Sequence, residues 1–281
     1  MTAAARPRLS VVIPCRDDRR LPVSVASIDE DVEVVVVLNG SPPGFRAAIE
    51  SAIGQRARIE ELPRAHMPGA LEHGIRAASC DRVVLMDSDC TFEPGALGAM
   101  AAAFERGDPD GEVYKGTIVF DSGASRAGAL VARSRAQRWS GSASLHKPPL
   151  ALDRRLAARL GGWFFDRRQI WKVDAAFGQR LTEAGIRVVL VRDCVVHHAP
   201  MSLGGDLRSS FRYGLGAAIA AARGLVLPRT ERSVATALRR HGLPAALYMA
   251  VSNRVRAAGY AYAAARIRLT RGRWLCELAG E

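Results

Sequence analysis

Short apolar runs alternate with helical, Ala-rich segments along the first half of the chain, and this alternation limits the fold more than any other feature. The runs Leu9–Ile13 and Val32–Leu38 are apolar along almost their whole length, as strands covered on both faces are. We expect Pro14 to end the first strand, and Phe45–Ile53 has the spacing of a crossover helix. The pattern predicts an α/β fold with a mostly parallel central sheet flanked by helices.

The other elements are predicted from the same periodicities. We expect strands at Arg58–Leu62, Arg82–Met86, Val113–Phe120 and Ile186–Val191, and helices at Gly69–Ala78, Thr91–Phe104 and Asp174–Glu183. Ser122–Leu150 is rich in Ser, Gly and Arg and is expected to be a loop, either a mobile loop near the substrate or a plain surface loop. Two helices, Leu207–Leu227 and Pro244–Leu269, are expected to follow it near the C-terminus.

Charge divides the chain into two parts. The net charge is +12, but residues 206–281 hold 13 Arg against 4 acidic residues, which leaves only a small excess in residues 1–205. With 48% apolar and 24% charged residues, the chain is expected to fold around one substantial core rather than to be disordered. The sequence therefore predicts one domain over 1–205 and a basic helical extension over 206–281.

The compartment is inferred from cysteines and apolar stretches. Five cysteines, an odd number without CxxC pairs, favour reduced thiols over a disulfide framework or a zinc site. The N-terminus has no apolar signal-peptide core, and the longest weakly polar stretch, Gly214–Leu227, is too short to cross a bilayer. We expect a cytoplasmic protein, with peripheral contact at the inner membrane face through the basic extension.

Asp87-Ser88-Asp89 is the strongest local motif, since it follows the apolar run Arg82–Met86. Ligands of open α/β sheets bind at the carboxyl ends of strands. Two carboxylates at such an end can hold a divalent cation, Mn²⁺ or Mg²⁺, that neutralises the diphosphate of a sugar nucleotide. An ordinary strand-ending turn is the alternative, because Asp and Ser favour turns.

Four patterns, one of which includes this motif, occur in order along the chain: Ser10–Pro14, Val34–Ser41, Leu85–Asp89, and Gly161–Trp163 with Val173–Leu181. In this order they resemble the family 2 inverting glycosyltransferases, over roughly residues 9–215. The resemblance implies a GT-A type nucleotide-diphospho-sugar transferase fold, in which 9–120 bind the nucleotide sugar and 121–205 serve the acceptor and catalysis. It implies transfer of a sugar from a UDP-, GDP- or dTDP-sugar to an acceptor hydroxyl, with inversion.

The resemblance also implies residue roles. Asp174 is the candidate general base, and a helix N-terminal carboxylate is the alternative for it. Asp87, Asp89 and His198 are the candidate metal ligands, with His197 as a competitor for the role of His198. The nucleotide sugar is expected to contact Pro14, Arg16, Asp18, Asn39, Asp87, Ser88, Asp89 and Arg212.

Departures from the family pattern keep other functions open. Val173 replaces the glutamate that normally precedes the base, and Ala176 replaces a second acid, so an inactive domain is one alternative. A non-enzymatic domain whose Arg-rich tail binds an anionic membrane surface or nucleic acid is another, although nucleic acid is not expected as a partner. A sugar-phosphate nucleotidyltransferase would need a Gly-rich, basic loop where Pro14–Asp18 stands. The acceptor hydroxyl belongs to a small molecule, a lipid-linked intermediate or a polysaccharide.

Overall fold

The computed structural model describes residues 8–108, 111–139, 145, 147–225, 227 and 233–279. Their strands form one mixed sheet in the order β3-β2-β1-β4-β7-β6-β8-β5. The strands are β1 (Ser10–Cys15), β2 (Glu33–Asn39), β3 (Arg58–Leu62), β4 (Arg82–Leu85), β5 (Cys90–Phe92), β6 (Glu112–Phe120), β7 (Leu150–Asp153) and β8 (Arg187–His198).

Strand directions bring several carboxyl ends to one edge of the sheet. β1 to β4 pair in parallel, β7 is antiparallel to β4 and β6, β8 is parallel to β6, and β5 is antiparallel to β8. β1, β4, β6 and β8 therefore all end at the same edge, and ligands of such sheets bind there.

Helices cover both faces of this sheet. They are α1 (Leu21–Ala26), α2 (Phe45–Ile53), α3 (Met67–Ala77), α4 (Ala96–Arg106), α5 (Arg126–Trp139), α6 (Val173–Glu183), α7 (Leu203–Ala222), α8 (Val234–Leu269) and α9 (Arg273–Ala279). Alternate residues of β2 point to opposite sides: Val36 packs in a core with α4, and Val35 and Val37 pack in a second core with α3 and α6. The nearly continuous apolar strands are thus buried on both faces, as their sequences predict.

The structure corrects four element predictions. Pro14 does not end β1, because the strand continues to Cys15 in register with β2. On its other side β1 pairs with β4 only as far as Val12, so Pro14 has no strand there that would need a hydrogen bond from its nitrogen. The helix predicted at Thr91–Phe104 begins only at Ala96, after Gly95 with φ +78°, because Cys90–Phe92 pair with β8. Tertiary pairing here overrides the helical periodicity.

The stretch predicted as a loop, Ser122–Leu150, contains the helix α5. The Ser125 hydroxyl accepts a hydrogen bond from the Gly128 amide at 2.9 Å, which is a helix N-cap arrangement that the Ser- and Gly-rich composition obscures. Residues 140–144 and 146 of this stretch lie outside the described residues. The strand predicted to end at Val191 continues to His198, because β8 resumes its pairing with β6 after an irregularity opposite Gly116 and Thr117.

The C-terminal helices pack on each other closely. A Cβ on Gly259 of α8 would lie 2.2 Å from the Phe211 carbonyl oxygen of α7, so only glycine permits this approach. α8 bends at Gly242, which has φ 80°, and Pro244 follows. The second helix predicted from the sequence corresponds to the part of α8 after this bend. Among the described helices, none has the length and apolarity to span a membrane.

Candidate active site

Two of the three predicted metal ligands, Asp89 and His198, meet where β8 pairs with β5, and Asp87 lies outside this group. Cys90 of β5 lies opposite His198 of β8, so the pairing of these strands brings His198 beside Asp89. His198 Nε2 lies 3.5 Å from Asp89 Oδ2, and the Cys90 thiol lies within 4.8 Å of the ligand atoms of both. These three residues are the group that, among the described residues, could hold a metal ion.

The tautomer of His198 suits metal binding. Its Nδ1 lies 2.8 Å from the Ala199 carbonyl oxygen. A carbonyl oxygen only accepts hydrogen bonds, so Nδ1 carries the proton and a neutral ring keeps its lone pair on Nε2, toward Asp89. One carboxylate and one imidazole, with water or diphosphate oxygens as further ligands, fit a Mn²⁺-like ion.

His197 has different surroundings. Its ring nitrogens lie 2.7 Å from Glu93 Oε1 and 3.1 Å from Asp121 Oδ1, and successive strand residues point to opposite faces. The hydrogen bond with Glu93 raises the pKa of His197, and Asp121 adds to the effect although burial opposes it. The ion pairs therefore favour a protonated ring, whereas a metal ligand must be neutral.

Asp87 is held by a residue that the sequence analysis did not assign. The Lys147 ammonium donates to Asp87 Oδ1, and its side chain is only 8% exposed. Burial alone would lower the pKa of Lys147, but the carboxylates of Asp87 and Asp174 outweigh it and raise that pKa. The first aspartate of the motif therefore binds a protein cation, while Asp89 lies beside His198.

Asp174 lies in the first turn of α6, and Lys172, with the left-handed φ of 59°, precedes that helix. Burial raises the pKa of the Asp174 carboxyl, although Lys147, the Ala175 amide and Lys172 act in the opposite direction. Its Oδ1 accepts a hydrogen bond from the Ala175 amide at 2.9 Å, as a helix N-terminal carboxylate does. The same carboxylate also interacts with the charged residues of the site, so the two interpretations of Asp174 are compatible.

On the nucleotide side, Asp18 is fixed by Arg20. Arg20 donates to both oxygens of Asp18, each at 2.8 Å, and its Nη2 also lies 3.3 Å from Asp89 Oδ2. The Ser88 hydroxyl donates to Asp18 Oδ2 at 3.3 Å. Burial by itself would raise the pKa of Asp18, but the hydrogen bonds from Arg20 and Ser88 lower it. Arg20 thus links the turn after β1 to the Asp87–Asp89 segment.

The other predicted nucleotide residues differ in exposure. Pro14 and Asn39 are buried, and Asn39 Oδ1 accepts from the His66 amide at 2.7 Å, which fixes the start of α3. Arg16 is exposed and its carbonyl accepts from the Ser41 hydroxyl. Arg212 is exposed on α7. Among the described residues, the hydrogen bonds and ion pairs of Asp18, Asp87, Asp89 and His198 do not include one to Arg212.

Glu72 of α3 and Arg180 of α6 hold the turn at residues 161–165 in place, a structural role that sequence reasoning missed. Glu72 Oε1 accepts from the amides of Phe164 and Phe165, at 2.6 and 2.7 Å. The Arg180 guanidinium lies 3.3 Å from the ring centroid of Trp163 and donates to the carbonyls of that turn. A surface cleft of about 370 Å³ beside Glu72, Arg76 and Phe164 contains none of the predicted site residues.

A compositional signal for Lys147 was present. The chain uses Arg almost everywhere and has three lysines: Lys115, Lys147 and Lys172. Lys147 and Lys172 both act on the carboxyl of Asp174, and Lys115 is fully buried in β6. Two of the three lysines of this Arg-rich chain therefore act on the predicted base.

A family model matches part of the sequence, and solved structures share the fold. Residues 10–154, slightly more than half of the 281, match the model described as Glycosyl transferase family 2. No curated protein sequence matches the chain. The chain is similar to mannosyltransferase PcManGT from Pyrobaculum calidifontis, in complex with GDP-Man and Mn²⁺, at 22% identity and a TM-score of 0.59, covering 97% of this chain and 81% of that one.

Two further structures are similar over shorter parts. Glucosyl-3-phosphoglycerate synthase from Mycobacterium tuberculosis, with Mg²⁺ and UDP, has 19% identity and a TM-score of 0.53, over 79% of this chain and 81% of that one. GalNAc-T7 with UDP, GalNAc and Mn²⁺ has 17% identity and a TM-score of 0.54, over 70% of this chain and 44% of that one. At these identities the likeness establishes the fold, and the predicted GT-A type α/β fold with a helical C-terminal extension is confirmed.

Proposed function

The chain belongs to glycosyl transferase family 2, and from this premise we propose that it transfers a sugar from a nucleoside-diphosphate sugar to an acceptor hydroxyl with inversion, assisted by a divalent metal ion. The observation that carries the proposal is the clustering of charge at the carboxyl edge of the sheet. Asp89 and His198 form one side of the cluster, and Asp87 with Lys147 forms the other. The carboxylate of Asp174 raises the pKa of Lys147, so it belongs to the same group of charges.

The diphosphate side of the reaction is assigned to Asp89 and His198. These two residues would hold Mn²⁺ or Mg²⁺, and the ion supplies charge that stabilises the leaving diphosphate. Arg20 lies 3.3 Å from Asp89 Oδ2 and adds a guanidinium that can bind phosphate oxygens. The three structural neighbours contain GDP-Man, UDP, Mn²⁺ or Mg²⁺, which supports a donor of the nucleoside-diphosphate class.

The nucleotide side is assigned to the turn after β1. Asp18 is a carboxylate held rigid by Arg20 and Ser88, so it can accept hydrogen bonds from a nucleobase or a ribose hydroxyl at a fixed position. Because Leu38 and Asn39 replace the acidic pair that the family often has, UDP, GDP and dTDP all remain donor candidates. Asn39 itself supports the wall of this region through the His66 amide.

The acceptor side is assigned to Asp174. A carboxylate with a raised pKa is a better general base, because its affinity for the proton of the acceptor hydroxyl is higher. That hydroxyl oxygen then attacks the anomeric carbon from the side opposite the diphosphate, in a single displacement. One base and one displacement give inversion. The positive charge of Lys147 offsets the repulsion between the carboxylates of Asp174 and Asp87.

The experiment that tests the proposal is calorimetric binding of UDP, GDP, dTDP and their sugars, each with and without Mn²⁺. We expect one diphosphate to bind and its binding to need the metal. Slow hydrolysis of the matching sugar donor, followed by NMR, is expected to release the inverted anomer first. A folded protein that binds none of these ligands, or that releases the retained anomer, would refute the proposal in favour of an inactive domain or a different mechanism.

A further inference from the structure

One side of the last long helix is apolar and exposed. From the bend at Gly242 onward, the side chains of α8 that face away from the rest of the protein include Leu243, Leu247 and Val251, which are 61%, 59% and 51% exposed. These three positions are spaced four residues apart, so they lie along one stripe of the helix, and Arg254 lies on the same stripe. We call the exposed stripe of α8 from Leu243 to Arg254 the outer face. Isolated monomers seldom expose a continuous apolar row of this kind without a use for it.

The opposite side of α8 fixes the rotation of the helix. Met249 and Ser252 are fully buried, and the Ser252 hydroxyl lies 2.8 Å from the hydroxyl of Ser210 on α7. Gly259 lies against the Phe211 backbone so closely that a Cβ would not fit. The Tyr248 hydroxyl donates to Asp206 at 2.5 Å. The outer face therefore cannot turn inward without breaking these buried contacts.

The charge around the outer face is of one sign. The sequence contains no Asp or Glu between Glu231 and Glu277. Arg239 and Arg240 precede the outer face, Arg254 lies on it, and Arg266 and Arg268 follow it, all of them exposed. At about 1.5 Å per helical residue, the apolar stripe from Leu243 to Val251 is roughly 12 Å long, and Arg254 lies about one turn beyond it.

We propose that the outer face of α8 lies in the interface of an anionic membrane, with Leu243, Leu247 and Val251 among the lipid head groups and the neighbouring arginines on lipid phosphates. An amphipathic helix with basic ends binds a surface in this way without spanning it. A second copy of the chain is a poorer occupant, because its outer face would bring arginines against arginines. Nucleic acid is a poorer occupant too, because phosphate contacts give no role to the apolar row.

This proposal is independent of sugar transfer, because it concerns binding to lipid alone. Its test is flotation of the full chain with vesicles of phosphatidylcholine, or of equimolar phosphatidylcholine and phosphatidylglycerol. We expect the chain to float with the anionic vesicles and to lose this association as salt is raised. Failure to bind anionic vesicles at low salt would overturn the proposal.

Two pairs of variants separate the apolar and the basic contributions. Leu247→Glu with Val251→Glu is expected to lower vesicle affinity about tenfold or more, because two apolar side chains lose their burial. The matched control is Ala48→Glu with Ala52→Glu, which adds the same charge at the same spacing on exposed positions of α2. Equal losses in both variants would show a charge effect alone and overturn the assignment of the apolar row.

The second pair removes positive charge. Arg239→Gln with Arg240→Gln is expected to lower affinity for anionic vesicles about 30-fold, since each basic residue near the surface contributes about 1 kcal/mol, a factor of about five. Arg106→Gln with Arg192→Gln is the control, because both arginines are exposed and lie on α4 and β8. All four variants change exposed residues, and circular dichroism checks their fold. Two outcomes would assign the outer face to another occupant. A dimer of the parent chain that dissociates in the Leu247→Glu, Val251→Glu variant would indicate a second copy of the chain. RNA binding that is unchanged in this variant would indicate nucleic acid.

Discussion

The active-site edge and the outer face of α8 both concentrate charge, but they do so in opposite ways. At the edge, each carboxylate lies near a cation: Asp18 and Asp89 bind Arg20, and Asp87 binds Lys147. Along α8, arginines follow one another without an acid in the sequence between Glu231 and Glu277. Paired charges at fixed distances suit a ligand of defined shape, whereas charge of one sign suits an extended anionic surface. The predictions below test the paired side of this comparison.

Asp174→Asn is expected to have the largest effect. Removal of a general base lowers the rate of transfer by about 10²- to 10⁴-fold. Nucleotide affinity in the presence of Mn²⁺ is expected to stay nearly unchanged, because the base acts on the acceptor. Turnover and calorimetric nucleotide binding measured on one preparation check both points. A large loss of nucleotide affinity would move Asp174 from the acceptor side to the donor side.

Asp89→Ala is expected to abolish the metal dependence of nucleotide binding, because His198 alone is a weak site for a divalent ion. The gain in affinity that Mn²⁺ gives the parent chain measures the effect. Asp193→Ala is the control, since Asp193 is an exposed carboxylate of the same strand as His198. Metal dependence that survives in Asp89→Ala would place the ion elsewhere.

Lys147→Met is expected to reduce the stability of the metal-free protein by about 1–3 kcal/mol, because it leaves the carboxylates of Asp87 and Asp174 without their ammonium partner. This range is below that for a fully buried pair, since the Asp87 side chain is 28% exposed. Mn²⁺ is expected to raise the Tm of the variant more than that of the parent, because the ion replaces the missing positive charge.

Lys115→Met is the matched control for that comparison. Lys115 is fully buried, and Lys147 is nearly so. The ammonium of Lys115 donates to a neutral group, the Gly116 carbonyl, at 3.1 Å, and not to a carboxylate. Burial lowers the pKa of Lys115 to about 8, so its charged form is disfavoured in the fold. An apolar replacement is expected to be neutral or stabilising and indifferent to Mn²⁺. If both lysine variants respond alike to the metal, the special role of Lys147 is wrong.

The sequence was sufficient where local pattern decides structure. Phe45–Ile53 and Arg58–Leu62 have the predicted boundaries, and the run Arg82–Met86 predicted correctly that a strand leads to Asp87. It was insufficient where a distant segment decides. Lys147 is 60 residues from Asp87, and β7, which follows it directly, pairs antiparallel with β4. A pairing of that kind leaves no local periodicity.

Pairing between distant segments also explains why a helix was wrongly predicted at β5, and why only the fold separates His197 from His198. Thr91 has helical neighbours in sequence, but it pairs with His197 of β8 in space. From the sequence, His198 is the candidate metal ligand and His197 remains a competitor. The fold distinguishes them, because alternation along β8 directs one ring toward Asp89 and the other toward Glu93 and Asp121.

His197→Gln is expected to have the smallest effect and to show it only at low pH. The pKa of His197 is raised by its bonds with Glu93 and Asp121, so the stabilisation is fully present below the unfolded pKa of about 6.5 and is lost as pH rises through the higher folded pKa. Because the His197 side chain is 32% exposed and Glu93 is 47% exposed, solvent screens the pairs, and we expect a loss below about 1 kcal/mol. Urea unfolding of parent and variant near pH 6 and near pH 9 checks the sign. A larger loss at the higher pH would contradict a protonated His197, and would return it to competition with His198 as a neutral metal ligand.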